Sequence, residues 1–226
     1  EKKIQWIQET PISFKKGNIT LKSTILTPDI IFACDGKNSW LRQHTLIETK
    51  RYNYEQFAHI ATLSHNSKVH SAYQKFSSDG TLAFLPHHNP HQSALIWSCS
   101  TQLHEKILKN GLGHELKKHS PKEYAALQIQ HHHFIPIESV LASQYYEHNI
   151  VLVGNALHAT HPLAGIGLNL SIGDIKCLAK NLMLKKPFSY YYDQRHHVHT
   201  KAHWLTHSLA QTNAMTLVDY LPSEIF

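Results

Sequence analysis

Apolar and polar residues alternate through the first hundred positions, and farther on apolar residues recur at the wider spacing of helices. Ile12 and Phe14 before Lys16-Gly17-Asn18, with Ile19, Leu21 and Ile25 after it, read as a β-hairpin. An apolar strand follows from Thr27 and ends in Asp35-Gly36. Alternation over Glu55–Ser64, His70–Ser77, Thr81–Pro86 and Ala94–Ser100 predicts an antiparallel sheet with one face covered. Helices are predicted at Gln102–Asn110 and Pro121–Gln128, and a short strand at Phe134–Pro136. Asn149–Val153 is a β-branched apolar run closed by Gly154, hence a buried strand. Beyond it Leu170, Ile172, Ile175, Leu178, Ala179 and Leu182 fall at helical spacing within Leu168–Leu184. A long polar helix from Tyr190 to about Asp219 completes the pattern, and no repeat or low-complexity linker interrupts it.

The loop between the last buried strand and its helix, Gly154 to Asn169, carries the most chemistry. Gly165 and Gly167 lack a Cβ, so a flat or anionic ligand can approach the backbone. The first amides of the helix have no intrahelical partner, and with the helix dipole they favour negative charge. A reduced flavin, anionic around N1 and the C2 carbonyl, suits such a place. So does a phosphate, and a plain tight turn explains the glycines equally well.

The segment Ala33-Cys34-Asp35-Gly36-Lys37-Asn38-Ser39-Trp40-Leu41-Arg42 alters that balance. Together the two segments resemble the second and third fingerprints of the flavin-dependent aromatic hydroxylases, A-D-G-x-x-S-x-x-R and G-D-A-A-H-x-x-x-P-x-x-G-x-G-x-N. Tyr54-Glu55-Gln56, His70 to Phe76 and Gly80 to Pro86 are similar to strands of the ubiquinone-biosynthesis branch, and Trp97 stands where a strand tryptophan is expected. The likeness runs from about Gly17 to Arg195 and is closest to the 2-polyprenyl-6-methoxyphenol hydroxylases, which share Gly-Asn at Gly154-Asn155. Cys34 and Leu157 each replace the usual alanine.

The resemblance implies an α/β (α+β) chain of the p-hydroxybenzoate-hydroxylase type. Residues 1–50 would be the C-terminal part of the FAD-binding domain, 51–145 the antiparallel or mixed substrate-domain sheet, 146–187 the FAD-binding strand-loop-helix and 188–226 a C-terminal helical segment. The family's first fingerprint, G-x-G-x-x-G in an N-terminal βαβ unit, is absent from this sequence, which starts at Glu1. The expectation is a fragment lacking on the order of a hundred or more N-terminal residues, cut short at the C-terminus as well, and binding FAD weakly or not at all when alone.

By matched position Asp35, Gly36, Arg42, Gly154, Asn155, Pro162, Gly165, Gly167, Leu168 and Asn169 are the implied FAD residues. Tyr54, Gln56, His70, Phe84 and Trp97 are candidates to line a ring pocket, with sheet packing as the equal alternative. No catalytic base emerges. The implied activity is hydroxylation of a polyprenylated phenol in ubiquinone biosynthesis, with FAD as cofactor and NAD(P)H as electron donor. Implied partners are that phenol and other ubiquinone-biosynthesis proteins; a homo-oligomer stays open. A flavoprotein reductase or dehydrogenase on the same scaffold, and a non-catalytic assembly subunit, also stay open.

Composition adds exclusions. With 226 residues, 42% hydrophobic, the chain can bury a sizeable core. Three cysteines, Cys34, Cys99 and Cys177, form no C-x-x-C pair and suit a reducing compartment, so a cytoplasmic protein is expected. The formal charge of +6 comes from dispersed basic residues without an aromatic groove, which argues against nucleic acid and reads as a basic soluble surface; peripheral contact with anionic lipid headgroups at the inner membrane stays open. Twenty-one histidines include His131-His132-His133 and the i, i+4 pair His199/His203. Without H-E-x-x-H or a neighbouring carboxylate in sequence they read as scattered surface residues, and no metal site is expected. G-x-S-x-G and W-x-W-x-I-P, the marks of hydrolases and flavin halogenases, do not occur.

Overall fold

A computed structural model describes residues 4–124, 126–162 and 165–211. In chain order it forms β1 (Ser13–Lys15), β2 (Asn18–Thr20), β3 (Ile25–Leu26), β4 (Ile31–Ala33), α1 (Trp40–Gln43), β5 (Thr49–His65), β6 (Tyr73–Ser77), β7 (Gly80–Pro86) and β8 (Gln92–Ser100). Then come α2 (Thr101–Asn110), α3 (Leu112–His119), β9 (Ala126–Ala142), β10 (Tyr146–Glu147), β11 (Ile150–Leu152), β12 (His158–Ala159), α4 (Gly167–Met183) and α5 (Ser189–Gln211). Contacts divide the chain into two units, one of residues 1–50, 140–159 and 166–201, the other of 51–139, 160–165 and 202–226.

In the first unit β1, β2 and β3 form a small antiparallel sheet whose first turn uses Lys16 and Gly17 at positive φ. A second sheet has the order β10-β11-β4, with β11 parallel to β4. β11 is buried on both faces, as parallel strands commonly are, whereas Phe32 of β4 faces outward. Here Ile31, Ala33, Ile150, Val151 and Leu152 join Leu157, Leu178, Tyr145 and Tyr191 in one core.

The second unit is built on the antiparallel sheet β5-β8-β7-β6, in which β6, β7 and β8 form a meander and β5 pairs with β8, with β9 on the other side of β5. One face carries Ala61, Leu63, Leu82, Phe84, Leu95, Trp97 and Cys99, covered by Leu103 and Ile107 of α2 and Leu112 and Leu116 of α3. Ser100 caps α2 by accepting the Leu103 amide at 3.3 Å, and Gly111 at φ 88° ends it. Gly80 closes the β6–β7 turn where a Cβ would stand 1.9 Å from the Ser98 carbonyl oxygen, so no side chain fits.

Three sequence expectations change. The predicted helix Pro121–Gln128 is a single 3-10 turn, Lys122–Tyr124, because Gln128-Ile129-Gln130 already belongs to the 17-residue strand β9. The predicted short strand Phe134–Pro136 is the middle of that same strand. Helix α3 escapes the pattern since only Leu112 and Leu116 mark its apolar face, and its third buried residue is Glu115, bonded by Asn110 and Lys118. The predicted end of the last helix at Asp219 lies outside the described residues.

Candidate functional site

Parallel pairing sets the two glycine-bearing turns side by side. Ile31 opposes Ile150, Phe32 opposes Val151 and Ala33 opposes Leu152, so both strands deliver their turns at the same edge. Leaving β4, the chain passes Asp35, whose Oδ2 accepts the Leu41 amide of α1 at 3.0 Å, and Gly36 at φ 87°. Leaving β11, it makes a 3-10 turn over Gly154–Ala156 with Asn155 exposed. Gly154, at φ 59°, leaves room for Ser171 of α4, whose Oγ would stand 3.2 Å from a Cβ.

Arg42 clasps the two turns. Its backbone is capped by Ser39, its guanidinium donates to the Lys37 carbonyl at 2.7 Å and to the Ala156 carbonyl, and it is only 3% exposed. The residue therefore works inside the site rather than as a surface ion pair.

The start of α4 has no side-chain cap and no acidic residue in its first turn. Leu168 and Asn169 are exposed there, Leu168 at 71%. Just upstream, the Gly165 amide donates to the Pro162 carbonyl at 3.0 Å, and Gly165 adopts φ 61° with nothing within 4 Å of a Cβ position. Leu163 and Ala164 lie outside the described residues. The open space at Gly165 leaves room for close approach to the backbone; the start of α4, without a side-chain cap, is a helix N-terminus of the kind that favours negative charge.

Behind that start lies a buried polar cluster that the sequence reading missed. Asp174 of α4, fully buried, receives His158 Nε2 on Oδ2 at 2.7 Å and both His199 Nε2 and Arg195 Nε on Oδ1 at 2.8 Å. His199 Nδ1 in turn accepts the Tyr145 hydroxyl at 2.7 Å, and Arg195 also donates to the Leu170 carbonyl at 3.0 Å. Burial pushes the Asp174 carboxyl up, but the hydrogen bonds from His158 and His199 outweigh it and hold the group well below the usual carboxylate range. Burial lowers His199 below the usual imidazole range despite the carboxylate. The Asp174 carboxylate and the Arg195 guanidinium thus form an ion pair beside the depressed His199 imidazole. The ligand atoms of His158, Asp174 and His199 lie within 4.8 Å of one another, yet a dication among them would face the Arg195 guanidinium on the same carboxylate. His199 therefore does have a carboxylate partner, supplied from 25 residues away rather than from its own helix.

The ring-pocket candidates divide between environments. Phe84 and Trp97 are packed in the core beneath α2 and α3. His70 is exposed in the link before β6. Tyr54 and Gln56 meet at His161, 1% exposed: the Tyr54 ring lies 4.7 Å from the imidazole at 81°, and Gln56 Oε1 accepts from His161 Nε2 at 2.9 Å. Burial drives His161 down to about 4. His59, at the core of the same unit, is likewise lowered to about 4 by burial and by His132 and His104, the latter bonded to it at 3.0 Å.

These depressed imidazoles fix an acid limit. The unfolded chain binds protons near the ordinary value of about 6.5 and the folded one only near 4, so their contribution is complete above about pH 6.5 and is lost as pH falls towards 4. Thermal melting at pH 7, 6, 5 and 4 should show a falling midpoint, with a shallower fall in His59→Phe. A flat profile would contradict the assignment.

A sequence profile described as FAD binding domain matches residues 16–186, more than half of the chain. The chain belongs to that family. Among curated proteins it is 28% identical over 218 residues to the ubiquinone biosynthesis monooxygenase COQ6, mitochondrial, of Danio rerio, a match covering 79% of this chain and 43% of that protein. It is 28% identical over 158 residues to the 3-demethoxyubiquinol 3-hydroxylase of Escherichia coli, covering 68% of this chain and 40% of that protein. The chain thus spans about two fifths of the length of the curated relatives it matches. Among solved structures, pqsL of Pseudomonas aeruginosa, a probable FAD-dependent monooxygenase, has a TM-score of 0.73 at 22% identity, covering 91% of this chain and 63% of that one. Aklavinone-11 hydroxylase in complex with FAD and aklavinone has a TM-score of 0.68 at 15% identity, covering 91% of this chain and 43% of that one. These likenesses establish the p-hydroxybenzoate-hydroxylase-like fold. No described helix is long and apolar enough to cross a membrane.

Proposed function

We propose that the protein is an FAD- and NAD(P)H-dependent monooxygenase that hydroxylates the aromatic ring of a polyprenylated phenol in ubiquinone biosynthesis. The observation that carries this reading is the parallel β4–β11 pair, which brings the Asp35-Gly36 turn beside Gly154-Asn155 under the Arg42 clasp. The COQ6 and 3-demethoxyubiquinol 3-hydroxylase similarities support the choice of substrate class. Bound FAD, reduced by NAD(P)H, supplies the oxygen-activating chemistry.

The chain's own residues bind and orient. Asp35, with Oδ2 taken by the Leu41 amide, offers Oδ1 to a hydroxyl of the cofactor chain, and the exposed Asn155 amide offers the same from the neighbouring turn. The amides of Gly167, Leu168 and Asn169 stabilise negative charge on the pyrimidine edge, and the Gly36 and Gly165 positions let the backbone come close. The Tyr54 ring lines the ring pocket, and Gln56 bonds the His161 imidazole that packs against it.

The test uses the full-length protein. It should purify with the visible absorption of bound flavin, and with labelled dioxygen it should place one labelled oxygen on a prenylated phenol. Gly165→Ala puts a side chain at φ 61°, at a cost of about 1–2 kcal/mol. FAD affinity should therefore fall about tenfold. Turnover of NAD(P)H without oxygen in the product would replace this reading with a reductase, and a protein that stays colourless with added FAD would replace it with a non-catalytic assembly role.

A further inference from the structure

We propose that His161 is a positioning residue for the hydroxylation: its hydrogen bond to Gln56 holds the backbone at His161-Pro162 to strand β5 beside the Tyr54 ring, and so sets where the phenol stands. This rests on the monooxygenase reading above.

The geometry is local to the second unit, which contains the whole of Thr160–Gly165 as well as β5 from Arg51. A glutamine carbonyl oxygen can only accept, so at 2.9 Å the proton between the two side chains belongs to His161 Nε2. Strand alternation would ordinarily place Tyr54 and Gln56 on one face with regular spacing. Glu55 breaks that regularity by adopting φ 53°, held there by Asn53 Oδ1, which accepts the Glu55 amide at 2.9 Å. Both flanking side chains nevertheless reach one imidazole, Tyr54 through its ring and Gln56 through its carbonyl.

Three rows of polar aromatic contact surround that point. Tyr54 meets Tyr52 at 4.7 Å, Tyr52 meets His207 of α5 at 4.5 Å, and the Tyr54 hydroxyl stands 3.5 Å from Ser139 Oγ on β9. The Pro162 carbonyl, next in the chain after His161, closes the turn by accepting the Gly165 amide at 3.0 Å. Any shift of the imidazole is therefore passed along the backbone to Pro162 and, through one hydrogen bond from its carbonyl, to the Gly165 amide. Loss of the His161–Gln56 bond removes a buried hydrogen bond that fixes the imidazole on the strand and leaves the Tyr54 ring contact, and a misplacement of about 1 Å at a reacting site costs about 10²-fold in rate.

In the FAD-loaded full-length protein, His161→Leu and Gln56→Met should each lower kcat about 10- to 100-fold with KM for the phenol and flavin occupancy little changed. The double variant should be no slower than the slower single one, as expected for two ends of one interaction. His161→Gln, which keeps an N–H donor near the place of Nε2, should recover most of the rate. A readout independent of turnover is the His161 Nε2 proton in nitrogen-15 spectra of histidine-labelled protein, which should be protected from exchange in the wild type and lost in Gln56→Met. The inference is overturned if that proton survives Gln56→Met, if the two single effects add, if KM moves in place of kcat, or if His161→Gln is as slow as His161→Leu. A wild type that shows the protected proton and hydroxylates no phenol overturns the monooxygenase reading, and the positioning role with it. An active wild type whose variants keep kcat overturns the His161 role alone.

Discussion

Asp174→Ala should cost about 3–5 kcal/mol of folding stability, the loss typical of breaking a buried ion pair by removing one partner. The substitution leaves Arg195 charged without its carboxylate partner and takes the acceptor from His158 and His199, both fully buried. It also unties α4 from α5 and from β12 at once. Urea unfolding of the two proteins reads the difference, and a loss below about 1 kcal/mol would show that solvent or a rearranged Arg195 takes over the carboxylate's place. Asp174→Asn keeps the shape and one acceptor and should fall between. The contribution is complete at neutral pH. The folded carboxyl lies below its ordinary value of about 3.9, so the contribution is lost only as pH falls from there through the lower folded value.

Arg42→Met should reduce FAD affinity more than tenfold and stability by about 2–4 kcal/mol, since two carbonyls lose a charged donor. The Ala156 and Lys37 carbonyls belong to the two cofactor turns, so their relative placement loosens even though neither turn is altered. Arg42→Lys should rescue little. A single ammonium lacks the planar fork that reaches two acceptors in different directions. Flavin retained after gel filtration measures the first effect and thermal melting the second; wild-type flavin retention in Arg42→Met would mean that the turns are set by β4–β11 pairing alone.

Much of this architecture is legible in the sequence, and the misses share a cause. The four strands β5 to β8 and the β4 and β11 segments follow from alternation and short β-branched runs ended by glycine, because those signals report burial on a pleated surface directly. Helix α4 is found but its inward face is misread. Ile172, Ile175 and Leu182 are exposed, while the buried stripe is Leu170, Asp174, Leu178 and Asn181. Apolar periodicity cannot find a face whose key member is a carboxylate neutralised by residues from α5 and β12. His161 stays hidden for a related reason. Its partner lies 105 positions away, and a histidine beside proline in a loop carries no spacing signal. Phe84 and Trp97 show the converse: strand aromatics of the kind that line pockets are here core residues, and only the position of α2 and α3 reveals it.

The β4–β11 pairing also orders events in time. The clasp from Arg42 to Ala156 joins residues 114 apart, so the first cofactor turn leaves the ribosome long before the second exists. Closing a loop of that length is entropically costly and contributes nothing until β11 arrives. The meander of the second unit, built from hairpins of short separation, can form in the interval. A flavin would therefore have no complete site to bind until β11 is made and paired with β4, and its loading would report on correct assembly of the two turns.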